Sequence, residues 1–238
     1  MTKTKIAFCT EEFDFFSVKN KDDVFEILEN GLGRKSIFLM PGKSADFMLM
    51  AYNVNKDEML EYYTSALCAA AFLVTKRGLP LHEIVFETSE GEIKIIHTDT
   101  DGFSVKIAKC KQILTLSAEL FGCDVKWRDL FVKKRIRAVH TDDISVFSND
   151  VLKRLLLLDG PLPFVTLASS SLKGNLAVRY YSEFNLEALS PIVIYSAAAF
   201  NERIISGAAA LKLFADGGKI SFVAEPFSVT VSARPEII

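Results

Sequence analysis

Two adjacent tyrosines, Tyr62 and Tyr63, precede an alanine-rich apolar segment and are the first candidates for chemistry in this sequence. A phenol can donate a hydrogen bond, and its ordinary pKa of about 10 lies about 1.5 units above that of a thiol. The pair can therefore line a ligand cleft or bond to a bound carboxylate. Paired aromatic side chains near a helix start also commonly fill space, since tyrosine is often half-buried. The residue types favour the space-filling role and leave the ligand role as the alternative.

Polar residues that suit an amino acid or a carboxylate occur in both halves of the chain. Asn53 can hold a carboxylate or an amine, and it equally suits a turn, because asparagine side chains bond to nearby backbone. Glu183 and Glu187 are candidates for a base or an acid in proton transfer. Glu187 also lies just before Ser190-Pro191, a helix start at which acidic residues are common. Glu187 therefore has a structural interpretation as well as a chemical one.

His140 is followed closely by Asp142 and Asp143. This spacing favours a solvated turn, with an acid–base or metal cluster as the alternative. A zinc site is not expected, because the three histidines lack zinc-ligand spacing relative to any cysteine pair. The sequence has no phosphate-binding loop, no dinucleotide fingerprint and no defensible Ser-His-Asp order. We therefore expect neither a cofactor nor a metal.

The composition limits the class of protein. Half of the 238 residues are hydrophobic, and 28 Lys and Arg oppose 30 Asp and Glu for a net charge of −2. These values exclude a disordered chain and argue against a nucleic-acid binder that works by neutralising phosphates. We expect no membrane partner, because the N-terminus lacks a signal-peptide pattern and no apolar stretch approaches ~20 residues. Four scattered cysteines predict buried free thiols in a cytoplasmic protein.

Turn and capping residues along the chain predict alternating strands and helices. A long helix is predicted roughly from Asp57 to Lys76, with Gly78 as its left-handed stop. A second long helix is predicted to begin near Ser190-Pro191, where serine suits the cap and proline the first turn. The apolar spacing of Ile113 to Phe121 favours a short helix. The mixture predicts an α+β fold.

Two segments of the chain echo each other. Phe47 to Val54 predicts a strand that leads to a helix containing Cys68-Ala-Ala-Ala-Phe72, and Leu176 to Glu183 predicts one that leads to Ser196-Ala-Ala-Ala-Phe200. Short side chains let strands approach closely, so each helix is expected to be buried in its own curved sheet. We predict two similar halves, residues 1–115, completed by about 228–238, and residues 116–227. A cleft between two halves is a usual place for a ligand.

The sequence resembles diaminopimelate epimerase and its cofactor-independent racemase relatives over nearly the whole chain. The matching residues follow the family's order at nearly ungapped spacing, and they are Asp14-Phe15, Ala45-Asp46-Phe47, Tyr52-Asn53, Glu58, Cys68-Ala69-Ala70, Val178-Arg179, Tyr181 and Glu187. The resemblance implies two pseudo-symmetric halves, each a mixed sheet curled around a central helix, with an amino acid or small carboxylate bound between them. Members of the family often pair as dimers, so a homodimer is compatible with it.

The two cysteines that carry this family's chemistry are missing. In the family, one thiolate removes the substrate's Cα proton and a facing thiol returns one, each from a helix N-terminus beside a glycine-rich turn. Those positions fall on Tyr62 and Pro191 in this sequence. The first glycine-rich turn is replaced by Tyr63, Thr64 and Ser65. No cysteine follows Cys123, which holds whatever the alignment.

The resemblance therefore implies a pseudoenzyme that binds a small ligand or a partner. Its candidate ligand contacts are Asn53, Tyr62, Tyr63, Thr64, Ser65, Glu183 and Glu187. A second hypothesis is an isomerase or epimerase, independent of pyridoxal phosphate, that acts on an amino acid or small carboxylate with other acid–base groups. A third is a protein that acts through its surface, its cleft filled by Tyr62, Tyr63, Ile192 and Ile194. Exchange of a Cα proton with solvent separates the second hypothesis from the others.

Overall fold

The structure is a computed structural model. It describes residues 2–8, 11–59, 61–79, 82–98, 102–108, 111–120, 123–132, 134–141, 147–158, 164–170, 176–181, 191–215 and 220–238. Within these residues, the fold is α+β, as predicted, and no helix has the length and hydrophobicity that a membrane crossing requires. In chain order the elements are β1 (Thr2–Phe8), β2 (Glu11–Ser17), α1 (Lys21–Asn30), β3 (Ser36–Pro41), β4 (Phe47–Tyr52), α2 (Tyr63–Arg77), β5 (Glu83–Thr88), β6 (Gly91–Thr98), β7 (Gly102–Ala108), β8 (Lys111–Leu120), β9 (Cys123–Val132), β10 (Lys134–His140), α3 (Asn149–Leu157), β11 (Phe164–Ser170), β12 (Leu176–Tyr181), α4 (Pro191–Ser206), β13 (Leu211–Ala215), β14 (Ile220–Ala224), β15 (Ser228–Ala233) and β16 (Glu236–Ile237).

The chain divides into two compact units, of which unit 1 comprises the described residues up to Val105 together with Ser232–Ile238. Its strands form a mixed sheet in the order β7-β6-β5-β4-β3-β2-β1-β16. The pairs β2–β3 and β4–β5 are parallel, because α1 and α2 connect them, and the other pairs are antiparallel. Helix α2 packs against β1, β3, β4, β6 and β16. Every residue from Thr64 to Leu73 is buried, as its small and apolar side chains predict.

The ends of α2 differ in how well the sequence predicts them. Gly78 ends the helix in the left-handed conformation, with φ of 62°, as predicted. The predicted start at Asp57 is wrong, because α2 begins only at Tyr63. The backbone of Asn53 instead accepts from Lys56 and donates to Asp57, which closes a tight turn. Because these backbone groups are hydrogen-bonded within the turn, they are not available for the hydrogen bonds of a helix at this point.

Unit 2 comprises the described residues of Lys106–Leu186 and Pro191–Val231. One sheet has the order β12-β11-β10-β9-β8, and β13 pairs with β14. The helix predicted over Ile113 to Phe121 is wrong: β8 pairs antiparallel with β9 from Lys111 to Leu120. Pairing along a whole strand outweighs a local apolar spacing that fits a helix equally well. Helix α4 begins at Pro191, as predicted, and packs against β9 to β14.

Candidate functional site

The loop between β4 and α2 and the first turn of α2, both in unit 1, carry most of the described candidate residues. Asn53 is buried, and its side-chain oxygen accepts hydrogen bonds from the backbone of Asn55 and Asp57, both at 2.9 Å. Its side-chain nitrogen donates to the Asp57 carboxylate at 3.3 Å. Both the oxygen and the nitrogen of the Asn53 side-chain amide therefore form hydrogen bonds within the loop. The turn role that the sequence left open is the one these contacts support.

Tyr62 lies at the N-cap position of α2 and is 1% exposed. Its hydroxyl donates to a carboxylate oxygen of Glu58, four residues earlier in the loop, and lies 3.2 Å from the hydroxyl of Ser89. The pKa of Tyr62 is raised well above its ordinary value of 10.0, mainly by burial and next by the hydrogen bond to Glu58. Tyr62 is therefore a neutral phenol over the whole physiological pH range, which suits a donor and not a base.

The first turn of α2 contains Tyr63, Thr64 and Ser65, the residues that the sequence resemblance aligns with a glycine-rich turn. The backbone N–H of Tyr63 donates to a carboxylate oxygen of Glu61 at 2.8 Å, and Glu61 is itself buried. Thr64 and Ser65 are buried as well, and the Thr64 hydroxyl has no hydrogen-bond partner among the described residues. A helix N-terminus attracts anions. The protein's own carboxylate thus occupies one donor that a bound carboxylate would use.

Thiol chemistry has no support in the described parts of either unit. Cys68 lies in the middle of α2 at 0% exposure, and burial raises the pKa of its thiol far above the ordinary value. The thiolate, which is the reactive form, is therefore not populated. In unit 2, α4 begins with Pro191, and the next three side chains, Ile192 to Ile194, are buried and apolar. No group in these four residues can exchange a proton with a substrate.

Unit 2 contains a polar cluster that sequence analysis predicted only in part. His140, at the end of β10, has its Nδ1 2.6 Å from a carboxylate oxygen of Glu202, which is buried in α4. Next to Glu202, Asn201 accepts a hydrogen bond from the Arg128 guanidinium at 3.2 Å. We missed Glu202 because the signal was weak: two polar residues that follow an apolar helical run.

Several candidates lie outside the described residues, namely Glu183, Glu187, Asp142 and Asp143. Their roles stay predictions. Among the residues that the structure describes, no group of three or more His, Cys, Asp or Glu is placed to hold a metal ion. Sequence analysis missed two residues that form hydrogen bonds near Tyr62, namely Ser89 and Glu61. Ser89 is 27 residues from Tyr62 in the chain, and Glu61 resembles any acidic residue before a helix.

The fold is shared with known structures at low sequence identity. A PhzF-family phenazine biosynthesis protein from Enterococcus faecalis matches with a TM-score of 0.71 and 12% identity, over 99% of this chain and 96% of the other. A hydroxyproline epimerase from Agrobacterium vitis, with bound trans-4-hydroxy-L-proline, matches with a TM-score of 0.61 and 12% identity, over 99% and 90%. Methylitaconate-delta-isomerase matches with a TM-score of 0.56 and 9% identity, over 99% and 93%. No protein-family model matches the chain, and no curated protein does either.

These neighbours confirm the broad fold that the sequence resemblance implied. The chain shares the fold of the PhzF-family protein, the hydroxyproline epimerase and methylitaconate-delta-isomerase. Diaminopimelate epimerase in particular, and the curling of each sheet around its helix, stay predictions.

Replacing Tyr62 by phenylalanine is expected to lower the free energy of unfolding at pH 7 by about 1–3 kcal/mol, because a buried hydroxyl loses its bond to a carboxylate. The folded-state pKa of Tyr62 is raised. Its contribution to stability is therefore complete below pH ~10, the unfolded pKa, and declines as pH rises above it. In urea-denaturation experiments, the wild-type advantage should thus stay constant up to about pH 10 and shrink as the pH is raised further.

The matched control is Ser89→Ala, which removes the longer contact to the same hydroxyl from an exposed residue. We expect this control to cost less than Tyr62→Phe. A Tyr62→Phe variant as stable as the wild type at pH 7 would contradict the described hydrogen bond.

Proposed function

We propose that this chain is a small-ligand-binding or interaction protein that is built on a cofactor-independent isomerase fold and has lost two-thiol epimerisation. The observation that carries the proposal is the state of Tyr62. At the start of α2, where the resembling family has a reactive thiol, this chain has a buried phenol that donates to Glu58. A phenol whose pKa is raised by burial cannot remove a Cα proton.

Two further features of the starts of α2 and α4 support the proposal. The Glu61 carboxylate accepts the hydrogen bond from Tyr63 N–H, a donor that a substrate carboxylate would otherwise use. Pro191 begins α4 without an ionisable group and without an N–H. Both helix starts thus lack what proton transfer at a Cα needs. The ligand we propose is an amino acid or a small carboxylate, the class that includes the trans-4-hydroxy-L-proline bound by the Agrobacterium vitis neighbour.

Incubation in heavy water tests the loss of catalysis directly. We expect no deuterium at Cα of trans-4-hydroxy-L-proline, L-proline or diaminopimelate, measured by proton NMR over many hours. The hydroxyproline epimerase from Agrobacterium vitis serves as the positive control. Thermal-shift measurements with the same compounds test binding, since a ligand at about 100 times its Kd adds roughly 2.7 kcal/mol of stability. Solvent exchange in any of these compounds would overturn the loss of catalysis.

An isomerase that works without thiols is the second candidate, and one contact favours it. Glu58 is an exposed carboxylate that accepts a hydrogen bond from the buried Tyr62 hydroxyl. A proton shift between two carbons on one face of a substrate needs only one such group, whereas epimerisation needs groups on both faces. If deuterium exchange is found, Glu58→Gln should abolish it, and Glu83→Gln, which changes an exposed carboxylate outside this loop, should not.

A further inference from the structure

Unit 1 contains a cavity of about 310 Å³ at one end of its sheet. The residues that line it lie at the ends of β2 and β3 and at the starts of β1 and β4, and the last residue of α2 lies on its rim. Since β2 and β3 are parallel, their carboxyl ends meet at this edge. Crevices outside the carboxyl ends of neighbouring parallel strands are common ligand sites in sheets with helical crossovers.

The cavity is separate from the residues discussed above. Arg77 at its rim is the last residue of α2, whereas Tyr63 is the first. A helix of this length spans about 21 Å at 1.5 Å per residue. Tyr62, Glu58 and Ser89 therefore lie at the opposite end of α2, and a ligand in this cavity does not touch them.

The rim of the cavity is positively charged. Of the described residues that line it, the charged ones are Lys19 and Arg77. Arg77 donates to the hydroxyl of Ser17 at 2.7 Å, and its guanidinium carbon lies 5.9 Å from the ring centre of Phe72. These two contacts hold the guanidinium in place before any ligand arrives. A planar guanidinium suits the two oxygens of a carboxylate.

The walls of the cavity are apolar. They include Val18 and Met40, which belong to the buried cluster under α1, together with Leu39 and Phe47. A site with two cations at its rim and aliphatic and aromatic side chains around it matches an anion that carries an apolar body. The volume lies at the lower end of the range for small-molecule sites, which limits that body to about one ring or a short branched chain.

We propose that this cavity binds a small monocarboxylate whose body is a single aromatic ring or a branched aliphatic chain. Arg77 and Lys19 bind its carboxylate, and Pro41 and Phe47, which pair across β3 and β4, contact its body. The proposal does not depend on the function proposed above, because it concerns the other end of α2.

Titration of the full chain with 3-phenylpropanoate tests the proposal, with binding measured by calorimetry and by ligand-observed NMR. Three comparison compounds separate its parts. The neutral 3-phenylpropanamide removes the charge, acetate removes the ring, and inorganic phosphate offers charge without an apolar body. We expect saturable binding of 3-phenylpropanoate and at least 10-fold weaker binding of all three comparison compounds, since a charge-assisted hydrogen bond contributes about one or two powers of ten.

The variant Arg77→Gln should weaken the binding of 3-phenylpropanoate by about 10-fold or more. Its matched control is Lys76→Gln, which removes the same charge from the same exposed turn of α2 at a residue that does not line the cavity. Lys76→Gln should change the Kd by less than about twofold, because the distance and solvent screen its charge. Lys19→Gln provides a second cation variant, with an expected weakening of about threefold or more, should Arg77→Gln fold poorly.

Four results would overturn the proposal. The first three are the absence of saturable 3-phenylpropanoate binding, equal binding of the carboxylate and its amide, and equal weakening by Arg77→Gln and Lys76→Gln. Phosphate binding as tight as that of 3-phenylpropanoate would also overturn it, because the site would then recognise charge alone.

Discussion

Replacing Asp129 with asparagine is expected to lower the free energy of unfolding by about 3–5 kcal/mol, the usual cost of leaving a buried charge without its partner. Asp129 on β9 and Arg137 on β10 are directly paired across the two strands, and both side chains are fully buried. The Arg137 guanidinium bonds to both carboxylate oxygens, at 2.8 and 3.0 Å. Arg135 bonds to the same carboxylate at 2.5 Å. Asparagine would leave two arginines facing a neutral amide.

The effect extends beyond the pair, because Arg137 also connects the sheet to α3. Its guanidinium donates to the carbonyl oxygens of Leu155 and Leu158, at the end of α3, the latter at 2.6 Å. It also lies over the ring of Trp127, 5.1 Å from the centre. An unpaired Arg137 that turned towards water would abandon these carbonyls. The free energy of unfolding should therefore fall for two reasons, a lost ion pair and a lost helix cap.

The free energy of unfolding is measured by urea denaturation, and two further variants serve as comparisons. Glu83→Gln breaks the exposed pair between Glu83 and Lys94, and it should cost at most about 1 kcal/mol. The double variant Asp129→Leu with Arg137→Met replaces the buried pair with apolar side chains and should recover the loss caused by the unpaired charge. It should not recover the loss of the helix cap, because methionine cannot donate to the Leu155 and Leu158 carbonyls. A loss for Asp129→Asn no larger than that for Glu83→Gln would contradict the expectation.

Replacing Gly102 with alanine is the second large expected change, with a cost of about 2–5 kcal/mol from backbone strain and a close contact together. Gly102 begins β7 with φ of +76°, a conformation that a residue with a Cβ rarely adopts. A Cβ added there would lie 2.7 Å from the carbonyl oxygen of Ala233 and 2.5 Å from a side-chain carbon of Arg234. The arginine side chain can move away, but the backbone of β15 cannot do so without disturbing its own pairing.

Gly207 offers a matched control, because it isolates the strain from the contact. Its φ is +67°, yet an added Cβ would meet nothing within 4 Å. Gly207→Ala should therefore cost only about 1–2 kcal/mol, the penalty of the left-handed conformation. The difference between the two variants in thermal or urea denaturation measures the close approach to Ala233. Equal costs would show that the chain around Gly102 relaxes freely.

Sequence analysis succeeded where the deciding interactions are local. The left-handed stop at Gly78 and the start of α4 at Pro191 are both confirmed, because caps depend on residues within one turn. The burial of Cys68 followed from its alanine-rich surroundings. Sequence analysis failed for β8, where the apolar spacing was compatible with a helix and only pairing with β9 determined the strand. It also placed the start of α2 too early, since the turn around Asn53 was not recognised.

By itself, the sequence determined the α+β class, the buried alanine-rich helices, and the absence of any cysteine after Cys123, and each of these depends on composition or on neighbouring residues. Only the tertiary structure decided the contacts of the candidate groups. Tyr62 meets Ser89 across 27 residues, and His140 meets Glu202 across 62. Such pairs depend on strand order, strand register and the rotation of a helix, which no local spacing encodes. Asn53 and Tyr62 look like ligand contacts in the sequence, whereas in the structure each bonds to the protein's own loop. These bonds span only four residues, and they were missed because the turn around Asn53 was not recognised.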